Sequence, residues 1–330
     1  MIRMKDVAER CGVSETTVSH VVNRTRYVAP ETRRRVLETI RELNYYINAH
    51  ARRLARGSSD FLGLVISDIE NPFFPEVIKS FESAALKRGF EILLCTTNYD
   101  PKRTRAAMRK LIENKVPGVA IMTSQVGPEQ AADLTANGVA AVFLNSAPAQ
   151  PYRSYVAIDH AKGAREAIGY LHGLGHRRFA FIQGPRHRPS ALMARKAVTD
   201  ALAQWGHEGV YVEGENTLES GAAAVRGLIE TQRLPGALLC DNDLCALGAI
   251  GALKEAGIAV PGQVSVVGAD DIPFARLASP PLTTIRIPRD LIGEQAFAAL
   301  EKMLRSKRHA GVEYRIETSL VIRQTTGVAD

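Results

Sequence analysis

The chain has 330 residues, 45% of them hydrophobic, and carries 42 Lys or Arg against 35 Asp or Glu for a formal net charge of +7. Such a length buries a large core and divides into more than one domain, which excludes disordered and fibrous classes. No apolar run reaches the length of a membrane span, and the opening MIRMKDVAERCG is charged within its first few residues and lacks the apolar centre of a signal peptide, so a cytoplasmic protein is expected.

Charge is concentrated at the front. Residues 1–60 hold 12 Lys or Arg against 7 Asp or Glu, while the remaining 270 hold 30 against 28. A basic segment beside a nearly neutral body suggests an anionic polymer as partner; a merely solvated basic surface is the alternative. MKDVAERC predicts a helix with Val7 and Ala8 inward, Gly12 permits a left-handed turn residue, and Ser14 stands as N-cap of a second helix. In GVSETTVSHVVN, Val13, Val18, Val21 and Val22 line one face, leaving Glu15, Thr16, Thr17, Ser19, His20 and Asn23 as short polar groups elsewhere. APETRRRVLETIRELNY predicts a third helix, with Pro30 at its start and Val36, Leu37, Ile40 and Leu43 as its buried stripe. Three short helices enclose a small core, and the exposed second one can enter a major groove by its first turn.

INAHARRLARGSSD then joins Ala51, Arg52 and Leu54 to a Gly-Ser-Ser linker. So short a basic stretch is not a stable helix in water. Helical only on a partner, it would place Leu54 as a wedge between base steps with the arginines on phosphate; otherwise it is a linker whose leucine packs on the next domain.

From Phe61 onward, β-rich runs alternate with helical ones: FLGLVIS, FEILLCTT, GVAIMTS and VAAVFLN form one series, and SYVAIDH, RRFAFIQG, GVYVEG, GALLCDN and VSVVGAD form a second. Two doubly wound parallel-sheet lobes are predicted, with ligand beyond the carboxyl ends of the strands. At those ends stand Phe73, Phe74, Ser124, Asn145, Asn242 and Asp270, with Arg195 on a following helix as a bidentate donor. Taken together they suit a polyol. Taken singly, each has a bland reading: aromatic helix starts are core, and Asn or Asp at strand ends cap the next helix.

The run MKDVAERCGVSETTVSHVVNRTRYVAPETRRRVLETIRELNY with NAHARRLARGSS, followed by NPFF, DND.CALGA, GADD and PPLTTIRIP, resembles the LacI/GalR family of bacterial transcription regulators over nearly the whole chain. The headpiece is most similar to the purine-repressor branch and the body resembles the periplasmic sugar-binding fold. The resemblance implies an all-α helix-turn-helix headpiece at residues 1–46, a hinge helix and linker at 47–60, and an α/β effector-binding and dimerisation domain at 61–330. Its N-lobe would comprise about 61–159 and 289–319, its C-lobe about 160–288 and 320–330. It implies base reading by Glu15, Thr16, His20 and Arg26, bracing or backbone contacts by Ser14, Thr17, Asn23 and Tyr45, and Leu54 as the minor-groove wedge.

Departures from the family pattern matter. Glu15 replaces a hydroxyl with a carboxylate, which accepts from a cytosine amino group or repels phosphate. Asn145 stands for a common aspartate, Ala269 for a tyrosine, and Ser146 gives no sign of a purine-stacking tryptophan, favouring a sugar or sugar derivative as effector. The expected function is that of a repressor, a homodimer on palindromic double-stranded operator DNA, switched allosterically by a small molecule between the lobes.

An enzyme is not expected, for there is no G-x-S-x-G, H-E-x-x-H or Walker run. Cys11, Cys95, Cys240 and Cys245 lack zinc or redox spacing and read as reduced core thiols, and neither metal nor cofactor is expected. The remaining alternatives are a ligand-independent DNA-bending architectural protein, which would leave the cleft unused, and a transport-type sugar-binding protein, which has no use for the headpiece.

Overall fold

The structure, a computed structural model, describes residues 2–23, 26–45, 59–123, 126–145 and 149–329. It divides into two compact units, Met1–Ser59 and Asp60–Asp330.

In the first unit, the Asp6 carboxylate accepts the Arg3 backbone N–H at 2.7 Å and opens helix α1 (Met4–Cys11). Gly12 then turns left-handed with φ 62°, a conformation only glycine adopts without strain, and the Val13 N–H returns to the Ala8 carbonyl at 3.0 Å. Helix α2 (Glu15–Asn23) follows, then α3 (Pro30–Glu42), whose first residue is a proline with no N–H to lose. Val7, Ala8, Cys11, Val18, Val21, Val36 and Tyr45 form the core, with Val13, Val22, Ile40 and Leu43 packed against it. The expected stripe on α3 needs one correction. Leu37 is 38% exposed, and Thr39 takes the inward position, because the helical period pairs 36 with 39, 40 and 43.

The second unit begins with β1 (Phe61–Ile66), α4 (Phe73–Leu86), β2 (Glu91–Thr96), α5 (Pro101–Glu113), β3 (Gly118–Met122), α6 (Pro128–Ala136), β4 (Ala140–Leu144) and β5 (Arg153–Asp159). It continues through α7 (His160–Gly173), β6 (Phe179–Gln183), α8 (Pro189–Gln204), β7 (Gly209–Glu213), α9 (Leu218–Glu230), β8 (Ala237–Cys240), α10 (Asp243–Glu255), β9 (Ser265–Asp270), α11 (Pro273–Leu277) and β10 (Thr283–Arg286). Helix α12 (Arg289–Arg305), β11 (Glu313–Glu317) and β12 (Ser319–Val321) close the chain. Two six-stranded sheets result, ordered β11-β5-β4-β3-β1-β2 and β12-β10-β9-β8-β6-β7. Every pair is parallel except β10 with β12.

The strands read as near-continuous apolar runs because helices cover both faces. Along β1, Leu62, Leu64 and Ile66 enter the core beneath α4 and α12, while Val65 enters the opposite core with Met108 and Leu111 of α5. Helix α12 packs on α4, where the Phe81 and Phe297 rings meet edge to face at 6.1 Å. The chain therefore passes between the sheets three times, after β5, after β10 and after β11. At the last passage the Thr318 hydroxyl donates to the Asp159 carbonyl at 2.7 Å and accepts the Gly163 N–H at 2.9 Å, pinning two passages together. Carboxyl ends of strands from both sheets open on one cleft.

Candidate functional site

On the headpiece, the Ser14 hydroxyl accepts the Thr17 N–H at 3.1 Å and lies 2.9 Å from the Thr17 hydroxyl, so both are engaged in capping α2. Ser14, Glu15 and Thr16 are exposed, His20 is half-buried, and Arg26 is exposed beyond the helix. The first turn thus offers a carboxylate and a hydroxyl from a rigid start, the side that also presents unpaired backbone N–H groups. Burial, and then the Glu15 carboxylate, raise the Tyr45 phenol above its ordinary range. Ala51, Arg52, Leu54 and Ser124 lie outside the described residues, as does the side chain of Asn23.

A cleft in the second unit is lined by residues from both sheets, a concave place of the kind small-molecule ligands occupy. The first sheet contributes Phe73 and Phe74 at the start of α4, Tyr99 after β2, Asn145 after β4 and His160 at the start of α7. The second contributes Ser190 and Met193 on α8, Asn216 after β7, Asp241 and Asn242 after β8, and Asp270 at the end of β9. Phe73 and Phe74 are 8% and 6% exposed, with rings edge to face at 5.2 Å, and Asn71 caps their helix by accepting the Phe73 N–H at 2.9 Å.

Five expected residues therefore share the cleft: Phe73, Phe74, Asn145, Asn242 and Asp270. Arg195 does not line it. Residues 190, 193, 194 and 197 of α8 do, at helical spacing, which turns residue 195 toward the sheet edge. There the Arg195 Nη1 donates to Gln183 Oε1 at 2.7 Å and the guanidinium lies 4.2 Å from the Tyr211 ring centre.

The two asparagines have both polar ends engaged within the protein. Asn242 accepts the Cys245 N–H at 2.9 Å as N-cap of α10 and donates to the Asn216 carbonyl at 3.0 Å. Asn145 accepts the Ile158 N–H at 2.7 Å, so its amide nitrogen is the end that faces His160 Nε2 at 3.3 Å. That nitrogen must accept, which leaves the His160 proton on Nδ1. Burial holds the imidazole down to about 4, against the nearby Asp159, so it is neutral.

The carboxyls behave oppositely. Burial pushes Asp241 up to about 6, partly offset by its bonds from Asn216 and Gly184 and by Arg188. Asp243, behind the cleft wall, is pushed up to about 7 by burial despite bonds from the Thr284 hydroxyl and the Ile272 N–H. Asp270 is raised well above the carboxylate range by burial and by Asp243. Arg289 links Glu76 on α4, at 2.6 Å, to the Asp270 backbone carbonyl on β9.

Sequence reasoning missed Tyr99, His160, Asn216 and Asp241. The strand-end rule would have found Asp241, since β8 ends at Cys240 and the first residue beyond it is Asp241 rather than Asn242.

Residues 3–48 match the family described as bacterial regulatory proteins, lacI family, and residues 168–326 match a periplasmic binding protein-like domain. Over 336 residues the chain is 33% identical to the HTH-type transcriptional repressor PurR of Histophilus somni (strain 129Pt), covering 98% of this chain and 99% of that protein. It is 35% identical to PurR of Pectobacterium carotovorum subsp. carotovorum (strain PC1), covering 100% and 98%. The chain belongs to the lacI family. Among solved structures it is similar to the Lac repressor dimer bound to operator and the anti-inducer ONPF, with TM-score 0.88, 28% identity and 99% of each chain covered. It is also similar to the transcriptional regulator CelR in complex with cellobiose, with TM-score 0.71, 29% identity and 98% and 100% covered. As a lacI-family member the protein is a DNA-binding transcription regulator with a ligand-binding effector domain under allosteric control. Among the described residues, no helix is long and apolar enough to cross a membrane.

Proposed function

We propose that the protein is a cytoplasmic, non-enzymatic repressor that binds a palindromic operator as a homodimer and is switched by a sugar or sugar derivative. Each headpiece, residues 1–46, reads one half-site through Glu15, Thr16, His20 and Arg26, with Ser14, Thr17 and Asn23 bracing the helix or touching phosphate. The hinge, residues 47–60, orders on DNA with Ala51 and Arg52 against the backbone and Leu54 in the minor groove. The body, residues 61–330, divides into an N-lobe of 61–159 and 289–319 and a C-lobe of 160–288 and 320–330.

One observation carries the effector half of this reading: the aromatic rings of Phe73 and Phe74 share a cleft with the Asp270 carboxyl, an apolar face and a polar acceptor suited to the two sides of a sugar ring. Ligand that binds one lobe arrangement better than the other shifts operator affinity by that difference. Fluorescence anisotropy of a labelled operator, titrated with neutral mono- and disaccharides, tests this. A compound that changes affinity by about tenfold in the native protein and not in Asp270→Ala supports the reading. An equal response in both overturns it.

A further inference from the structure

The Asp241 corner of the cleft is rich in acceptors. Asp241 follows β8 and Asp270 ends β9, neighbouring strands, since β8 pairs with β9. One Asp241 oxygen, Oδ2, accepts the Gly184 N–H at 3.2 Å and the Asn216 Nδ2 at 2.9 Å, leaving Oδ1 with no bond among the described residues. That amide's other end, Asn216 Oδ1, is buried without a partner. The Asp270 carboxyl is 8% exposed, lines the cleft, and accepts no hydrogen bond among the described residues. Two acceptors, Asp241 Oδ1 and Asn216 Oδ1, thus lack donors among the described residues, an arrangement that is costly unless something supplies them.

The site is built rather than incidental. A Cβ on Gly184 would stand 2.7 Å from Asp241 Oδ2 and 2.9 Å from Asn216 Nδ2, so the pair sits in a place that only glycine leaves open. No lysine or arginine lines the cleft among the described residues. Of the two nearby guanidinium groups, Arg289 is held by Glu76 and the Asp270 carbonyl, while Arg188 bonds Glu215 at 3.3 Å and lies over the Tyr99 ring outside the cleft lining, its Nε buried without a partner among the described residues. His160 is neutral, and Asp243 behind the wall adds a third acid.

We infer that the Asp241–Asn216 pair is a specificity subsite that accepts hydrogen bonds from ligand hydroxyl or amino groups and disfavours phosphate and carboxylate. The inference rests on the reading of the cleft as the effector site and narrows "sugar or sugar derivative" to neutral or amino-bearing compounds. Sugar phosphates and uronic acids are disfavoured, because each would bring its charge against the Asp241 carboxylate and the Asn216 Oδ1 acceptor, with no cation lining the cleft among the described residues.

The test is a thermal-shift and calorimetric panel on the full-length protein near pH 7.5, using matched sets of aldohexoses, aldopentoses and disaccharides, their amino derivatives, their phosphates and their uronic acids. A neutral or amino member should bind, with its phosphate and uronate at least about 100-fold weaker. Comparison of the neutral sugar with its amino derivative tells hydroxyl from ammonium recognition. Asp241→Asn and Asn216→Leu should each weaken binding about tenfold, and unliganded melting of each variant reports whether it folds. A phosphate or uronate that binds as tightly as its parent overturns the inference, as does affinity unchanged in Asp241→Asn. Silence across the whole panel, with operator affinity also unmoved, overturns instead the reading of the cleft as an effector site.

Discussion

Arg188, at the N-cap of α8 in one lobe, lays its guanidinium over the Tyr99 ring of the other, with 3.6 Å from Cζ to the ring centre. Arg188 is 9% exposed and Tyr99 lines the cleft, so the contact fastens the two walls beside the ligand space. A largely desolvated cation over an aromatic face contributes about 1–2 kcal/mol. Arg188→Leu and Tyr99→Leu are expected to lower stability by comparable amounts, and a double-mutant cycle should return a coupling of about 1 kcal/mol. Additive single losses would show that the stacking couples nothing.

A second strut crosses at Arg289. Its guanidinium is buried between Glu76 and the Asp270 carbonyl, so Arg289→Met strands a carboxylate and a carbonyl together. Removing one partner of such a buried pair costs about 3–5 kcal/mol, and half-exposed Glu76 places the loss near the lower figure. Denaturant midpoints read it; a change within error would mean that solvent replaces the guanidinium freely.

Two groups in the cleft give stability opposite dependences on pH. Asp241 titrates at about 6 in the folded chain, above its unfolded value, so its favourable contribution is complete below about pH 4 and is lost as pH rises through about 6. His160 titrates at about 4, below its unfolded value, so its contribution is present above about pH 6.5 and is lost as pH falls toward 4. Asp243 and Asp270 act in the direction of Asp241, and His176, lowered mainly by burial, acts in that of His160. The stability difference between Asp241→Asn and the native protein isolates one group. It should favour the variant by roughly 2 kcal/mol at pH 7.5, discounted for water in the cleft, and vanish below about pH 4. A difference that stays flat from pH 4 to 8 contradicts the buried carboxyl.

On the headpiece, Ser14→Ala removes the hydroxyl that caps α2 and should cost about 1 kcal/mol, seen as faster amide exchange in the first turn of that helix. Glu15→Gln removes a carboxylate from an exposed first turn that approaches phosphate in the proposed complex. Affinity for random duplex should rise about threefold at low salt, an effect that shrinks as salt screens it. Unchanged affinity at every salt concentration would place Glu15 away from the backbone.

Arg195→Ala separates the two placements of that residue. With its guanidinium on Gln183 and Tyr211, the substitution should leave ligand affinity within about threefold while lowering the melting temperature. A selective loss of ligand affinity would return Arg195 to the cleft.

Much of the fold was legible because burial on both faces writes itself as apolar runs: GVAIM and FAFIQ are buried throughout and could only be interior strands. Phe73, Phe74 and Asp270 were legible as cleft residues because strand ends in such sheets converge. Arg195 was not, since choosing a helix face needs the exact phase of α8, and two residues of error turn a side chain by more than half a turn. Asn242 shows the reverse case: it lines the cleft, yet the ordinary capping role accounts for its side chain. Asp241 stands where the strand-end rule points, but Asn216 was hidden because its meaning lies in a pairing with Asp241 around Gly184, and no local pattern states that.

Enrichment of binding sites from random duplex DNA by the intact protein bears on all of this at once. A two-fold symmetric sequence, with two half-sites and loss of enrichment in a Thr16→Ala, His20→Ala variant, is the expected result. Recovery of no sequence over any other, down to low ionic strength, would contradict the assignment of α2 to reading bases.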